Sequence, residues 1–233
     1  MNESDLTSVG ASIFPLYLQS PYLFYENLLE VVVSSKMKVL DLCCGDGKHT
    51  IALGRLSDFV VATDIAENSI EIAKRRVEVL NLVSIQFHAG DAEHIKYPDN
   101  HFDIVTCIGS ISYVNLEKFT AEIIRILKPG GRFIALDSLD HNPIYRLNRY
   151  IHYLKGNRTY TTLKRMPKEK TLQYFESHFT SIEKHYFGIF IFMGPILSFL
   201  LGPKNAKNVI DFCDKRLSCM KKYSFKFVLN AYK

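Results

Sequence analysis

Two glycines and one aspartate carry the clearest chemical signal in the chain. Gly45 and Gly47 follow the apolar run Lys38-Val39-Leu40-Asp41-Leu42-Cys43, and Asp64 closes a second run, Phe59-Val60-Val61-Ala62-Thr63, 17 residues after Gly47. Glycine adopts positive φ readily and lets a ligand come close to the backbone. A helix that begins just past such a turn offers free N–H groups. A carboxylate at the end of the neighbouring strand can accept hydrogen bonds from both hydroxyls of a ribose. Together these features predict a site for a nucleotide-like ligand. Taken singly each has a plainer meaning: a Gly-x-Gly turn is often only a tight connection, and an acid in that place also suits a helix N-terminus.

Those residues need strands that end on a common rim, and the pattern supplies them. Short apolar runs at 38–43, 59–63, 84–88, 102–108 and 133–136 read as strands, with two more at 181–186 and 225–232. Helical stretches fall between them at 22–33, 49–56, 116–127 and 167–179. Between 64 and 84, Ile70, Ala73, Val77 and Leu80 line one helix face, while Lys74, Arg75, Arg76 and Glu78 fill much of the remainder. This alternation predicts an α/β fold, a doubly wound and mostly parallel sheet of seven strands. We expect one domain over 1–233, with a core at 22–137, a cap at 138–166 and a helical insertion at 187–222.

Composition narrows the class of protein. Hydrophobic residues at 47% and charged residues at 23% fit a folded globular chain and argue against disorder or a membrane bundle. The five cysteines show no zinc-type spacing, so no metal site is expected and reduced thiols are. The first residues, Met1-Asn2-Glu3-Ser4-Asp5, lack the basic start and apolar stretch of a signal peptide, which predicts a cytoplasmic protein.

Four blocks extend the glycine signal: residues 39–47, Ala62-Thr63-Asp64-Ile65-Ala66, Gly90-Asp91-Ala92-Glu93 with 97–105, and Leu127-Lys128-Pro129-Gly130-Gly131-Arg132-Phe133. In order and spacing they resemble the class I S-adenosylmethionine (SAM) dependent methyltransferases, in particular the broad group that includes ubiquinone/menaquinone biosynthesis C-methyltransferases. The resemblance covers roughly 37–137. It implies a Rossmann-like methyltransferase fold, SAM as cofactor and a methyl acceptor that is a small or lipid-linked molecule. Gly45 and Gly47 would pass beneath the amino acid part of SAM, and Asp41 would orient the loop. Asp64, with Ile65 beside it, would hold the ribose. Asp91 and Ala92 would meet the adenine, and Ile108, within 107–109, would flank the methionine end. Lys128 to Gly131 would be a structural turn. Cys43 departs from the pattern, because it stands where the family usually has its first glycine. The rival reading is a dinucleotide-binding oxidoreductase, whose fingerprint asks for a further small residue where this chain has Thr50. A second alternative is a SAM-binding protein without catalysis.

The acceptor side is less legible. Residues 137–170 hold eight Lys and Arg against three acids, a local excess equal to the +5 of the whole chain, with Tyr145, Tyr150, Tyr153 and Tyr160 interleaved. Such a cap could attract an anionic acceptor, or it could be a solvated surface. His141 and Tyr145 are the candidates for a base or orienting group, and Tyr17, Tyr22 and Tyr25 for the far wall of the pocket. No Asn/Asp-Pro-Pro-Tyr segment follows the fourth strand, which reads Ile108-Gly109-Ser110-Ile111, so no nucleic-acid partner is expected. The apolar run 187–201 is too short to span a bilayer. Burial against the sheet is its plain reading; the other is an interfacial segment for peripheral membrane contact, aided by Lys204, Lys207, Lys221 and Lys222.

Overall fold

A computed structural model describes residues 3–233. The seven strands are β1 (Lys38–Leu42), β2 (Phe59–Asp64), β3 (Ile85–Ala89), β4 (Phe102–Ile108), β5 (Leu127–Ser138), β6 (Ser181–Phe187) and β7 (Lys226–Tyr232). They form one sheet in the order β3-β2-β1-β4-β5-β7-β6. β1 to β5 are parallel, and β7 runs antiparallel between β5 and β6. The helices are α1 (Glu3–Thr7), α2 (Ser20–Val32), α3 (Thr50–Leu56), α4 (Glu67–Val79), α5 (Leu116–Ile126), α6 (Pro143–Leu154), α7 (Tyr160–Lys164), α8 (Glu169–Glu176), α9 (Gly194–Leu201) and α10 (Pro203–Arg216).

Both sheet faces are covered, which is why its strands are near-continuous apolar runs. Leu40, Leu42, Val105, Cys107 and Phe133 pack under Phe119 and Ile123 of α5 and Phe175 of α8. Their alternates Val39, Ile104, Ile134 and Leu136 pack under Tyr25 and Leu29 of α2, Ile51 of α3 and Val77 of α4. The strand order reverses between β1 and β4, and ligands of doubly wound sheets bind at that switch point, beyond the carboxyl ends of the strands.

The structure departs from the sequence reading in several places. β5 starts at Leu127, six residues before the predicted strand, because Leu127 already pairs with Phe102. The register then jumps from Phe102–Leu127 to Ile104–Arg132, so Lys128 to Gly131 bulge out as a turn inside the strand. Gly130 has φ 75° there, and a Cβ on Gly131 would stand 2.9 Å from the Lys128 carbonyl oxygen. The helix expected over 167–179 shortens to α8. The helical insertion expected over 187–222 is broken: α10 ends at Arg216 and passes into a 3-10 turn, Ser218–Tyr223. The apolar run divides. Ile189 and Ile191 are buried, but α9 leaves Ile196, Phe199, Leu200 and Leu201 exposed, Phe199 at 89%. Burial against the sheet therefore holds only for its first part. No helix of the described residues is long and apolar enough to cross a membrane.

Candidate active site

The loop after β1 is built around a buried acid. Asp41 is 3% exposed and accepts hydrogen bonds from the hydroxyls of Thr50 (2.7 Å) and Thr106 (2.8 Å), joining β1 to α3 and β4. Burial pushes its carboxyl up to about 6, against the two hydroxyl bonds and with the help of nearby Asp64. Cys43 then turns the chain at φ 56°, the left-handed region that side chains enter at a cost. That conformation accounts for the glycine usual at this place; here cysteine adopts it, half-buried against the core. Gly45 and Gly47 have φ 55° and 77°. Nothing lies within 4 Å of a Cβ placed on Gly45, whereas one on Gly47 would stand 2.9 Å from Cβ of Ala73 on α4. Gly45 therefore borders open space, and Gly47 lets the loop press on the next helix.

Asp64 ties this loop to β2. One of its oxygens accepts from the Gly45 amide (2.8 Å) and the other from Ala66 (2.9 Å), so it serves the loop and the turn into α4 at once. Ile65 beside it is 77% exposed, which leaves most of its apolar surface open. Asp91 is exposed and turns toward its own loop, accepting from the Glu93 amide (2.8 Å), while Ala92 is 7% exposed. A cavity of ≈ 560 Å³ borders Thr63, Gly90 and Asp91, with Ile95 and Tyr97 on its walls. Ile108 ends β4, and Gly109 bends back at φ 68° to donate to the Leu136 carbonyl. Gly45 and Asp64 are thus bonded to each other, Asp41 fixes the start of the same loop through Thr50 and Thr106, and Ile65 and Asp91 lie along the rim. Open space over Gly45, an acid at its edge and an apolar ledge fit a nucleoside with a charged tail.

Past β5 the rim becomes charged and buried. Asp137 is 3% exposed and accepts from the amides of Ile111 (2.9 Å) and Ser138 (2.6 Å). Lys226, 8% exposed, pairs in register with Ser138 and holds its ammonium over the rings of Tyr22 (5.2 Å) and Phe225 (5.4 Å). Burial lowers it to about 8; Asp137 works against that shift, and Arg149 and Arg158 add to it. Tyr22 stacks with Phe14 (4.0 Å) and with His49 (5.3 Å), which also stack on each other (6.3 Å). Burial and the Lys226 charge drive His49 down to about 4, so the imidazole is neutral near pH 7. Tyr25 is buried beside Asp41, and Tyr17 lies flat on Gly194, where a Cβ would overlap its ring.

His141 and Tyr145 are both engaged by backbone. His141 Nε2 accepts from the Glu169 amide (3.0 Å) at the start of α8. The Tyr145 hydroxyl donates to the Gly188 carbonyl (3.0 Å) and accepts from the Phe192 amide (3.1 Å), fastening α6 to the segment before α9. The basic cap is not uniform. Arg146 stays exposed, but Arg149 is 5% exposed and donates to the Leu139 carbonyl (2.7 Å) and to Asp140 (3.2 Å).

Arg76 departs most from the sequence reading. Its place among charged neighbours predicts a solvated face, yet it is fully buried. Its guanidinium donates to the carbonyls of Asp46, Asp5, Leu6 and Ser8 and pairs with the Asp46 carboxylate (3.2 Å). It straps the N-terminal segment to the glycine loop. Helical periodicity places an arginine on a face without saying that another segment will cover that face. Lys226, Asp137 and His49 were also missed as site residues, and only their positions at strand and helix ends hint at them.

Known proteins resemble this chain in sequence and in fold. Residues 39–131 match the family described as "Methyltransferase domain". Over 134 residues the chain is 34% identical to the demethylmenaquinone methyltransferase of Bacillus cereus (strain ATCC 10987 / NRS 248), a match covering 56% of either chain. The chain thus spans about half the length of the curated relatives it matches. Among solved structures, a SAM dependent methyltransferase from Aquifex aeolicus has the same fold at TM-score 0.60 and 16% identity, covering 100% of this chain and 98% of that one. So does geranyl diphosphate C-methyltransferase from Streptomyces coelicolor A3(2), at TM-score 0.61 and 16% identity, covering 93% and 79%. That structure contains geranyl diphosphate and S-adenosyl-L-homocysteine.

Proposed function

We propose that the chain is a class I SAM-dependent methyltransferase that moves a methyl group from SAM to a small or lipid-linked acceptor. The observation that carries this reading is the Asp64 carboxylate bonded to the Gly45 amide at the switch point of the sheet, in a loop whose start Asp41 fixes through Thr50. SAM brings a methyl group already activated on sulfur, so the protein has to orient a nucleophile and exclude water. Asp64 would exchange its bond to the Gly45 amide for ribose hydroxyls, Ile65 would lie against the nucleoside, and Gly45 would border the amino acid tail. His141 and Tyr145 would act by holding the cap in place, since their polar atoms already serve the backbone. Thr50 weighs against a dinucleotide enzyme: it is fully buried and bonded to Asp41, not a small residue beneath a pyrophosphate.

Asp64→Ala tests the cofactor role. Hydrogen bonds to a charged group are worth about 1.5–3 kcal/mol, so S-adenosylhomocysteine affinity should fall by about tenfold or more in calorimetry. Unchanged affinity in a folded variant would leave Asp64 as a turn residue only.

A second proposal concerns where the acceptor is met. α9 presents Ile196, Phe199, Leu200 and Leu201, and α10 adds Phe212, with Lys204, Lys215, Arg216, Lys221 and Lys222 exposed around them. Apolar burial and attraction to anionic headgroups add, so this corner suits an anionic bilayer surface.

A further inference from the structure

We propose that Lys226 and Arg149 form a subsite that takes a carboxylate or phosphate group of the methyl acceptor. The inference deepens the methyltransferase reading and rests on it. Both side chains are more than nine-tenths buried, at 8% and 5% exposure, which is costly for a cation unless it is paired and hydrogen-bonded. Neither is fully satisfied. Nη2 of Arg149 is buried with no hydrogen-bond partner in the protein. The Lys226 ammonium, with three donors, makes one long contact of 3.4 Å to the Ser138 hydroxyl and otherwise faces the rings of Tyr22 and Phe225.

The local charge is out of balance in the same sense. Lys226, Arg149 and Arg158 repel one another, and the carboxylates set against them are Asp137 and Asp140. Asp140 is shared, with Arg149 at 3.2 Å and Arg146 and Lys168 at 3.9 and 4.0 Å. Asp137 already receives two backbone amides and lies beyond ion-pair distance of Lys226. Among the described residues, cations therefore exceed acids at this rim. His49 is held neutral there, and Tyr22 keeps its proton, so neither supplies the missing negative charge. An oxyanion on the ligand would pair with Nη2 of Arg149 and the Lys226 ammonium together. The place suits an acceptor, because Lys226 pairs with Ser138 at the carboxyl end of β5, next to the end of β4 and clear of Asp64 and Asp91 on the nucleoside side. A molecule anchored here would lie beside the aromatic stack of Tyr22, at the carboxyl end of β5.

The test uses the full chain saturated with S-adenosylhomocysteine, titrated separately with inorganic phosphate and with benzoate at fixed ionic strength. At least one anion should bind, and the stronger response names the class. Lys226→Met should weaken that binding by about tenfold or more, since a charge-assisted hydrogen bond is lost, and Lys226→Arg should restore most of it. Arg149→Met should weaken it as well, and S-adenosylhomocysteine affinity should be unchanged in the two Lys226 variants. If neither anion binds the wild-type complex, or Lys226→Met binds it as tightly as wild type, the subsite is wrong while the methyltransferase reading stands. If the wild-type chain does not take up S-adenosylhomocysteine, the reading beneath it fails and the subsite with it.

Discussion

Cys43 shows how one residue can fit a family's backbone without its side chain. The loop needs φ near 56° at that point, and a non-glycine residue there costs roughly 1–2 kcal/mol. Cys43→Gly should therefore raise stability by up to about 1 kcal/mol, the strain relieved exceeding the packing lost, and should leave S-adenosylhomocysteine affinity within about twofold. Urea unfolding of the two proteins measures this; a less stable glycine variant would mean that thiol packing against the core outweighs the strain. Gly45 and Gly47 differ in kind. Gly45→Ala should carry the same left-handed strain as Cys43 and, with its methyl group toward open space, also damage ligand binding, while Gly47→Ala adds a collision with Ala73 to the strain and should damage folding more. The sequence announced both glycines and Asp64, because backbone freedom and a carboxylate are properties of residue type. It was silent on Lys226, since a lone lysine entering a last strand looks like any other until Ser138, Tyr22 and Arg149 are brought around it.

At the scale of elements, the junction of β1, α3 and β4 is held by an acid that would be more comfortable protonated. Asp41 has a folded-state pKa raised to about 6. Between the usual carboxylate value and 6 the native protein binds the proton more tightly than the unfolded chain, so this group makes stability fall as pH rises through that window. Asp41→Asn should remove that slope. The variant should gain on wild type from pH 4 to pH 7 by up to about 3 kcal/mol, read as the difference between their unfolding free energies at the two pH values. Parallel curves would show that Asp41 is ionised throughout. Arg76 makes the opposite case, a buried cation given five acceptors by the N-terminal segment and Asp46. Arg76→Met should free residues 5–8, seen as faster amide exchange there, and should weaken S-adenosylhomocysteine binding through the Asp46 turn; unchanged exchange would mean that other contacts hold the segment. The strand and helix pattern was readable because both sheet faces are buried and helices repeat every turn. What covers a helix face was not, since Arg76 differs from Arg75 only in the segment that folds over it.

For the whole molecule, the fold class followed from alternation and spacing, whereas the order of the sheet, the cap and the C-terminal helices did not. Their residues are set by partners far along the chain: Tyr145 by Gly188, Asn142 by the Tyr223 carbonyl, and Tyr17 by Gly194. The apolar face of α9 is exposed, and its docking on a bilayer is the proposal to test. The protein should co-sediment with anionic vesicles at low salt and be released at high salt, and Phe199→Ser with Leu200→Ser should reduce the association without touching S-adenosylhomocysteine binding. Wild type remaining in the supernatant would turn the search for an acceptor toward water-soluble molecules. The central claim is that the site at the switch point is made for SAM, and calorimetry of the wild-type chain against SAM, S-adenosylhomocysteine and NADH tests it most directly. SAM and S-adenosylhomocysteine should bind with one site per chain and NADH should give no heat of binding; tighter binding of NADH than of either would contradict the account.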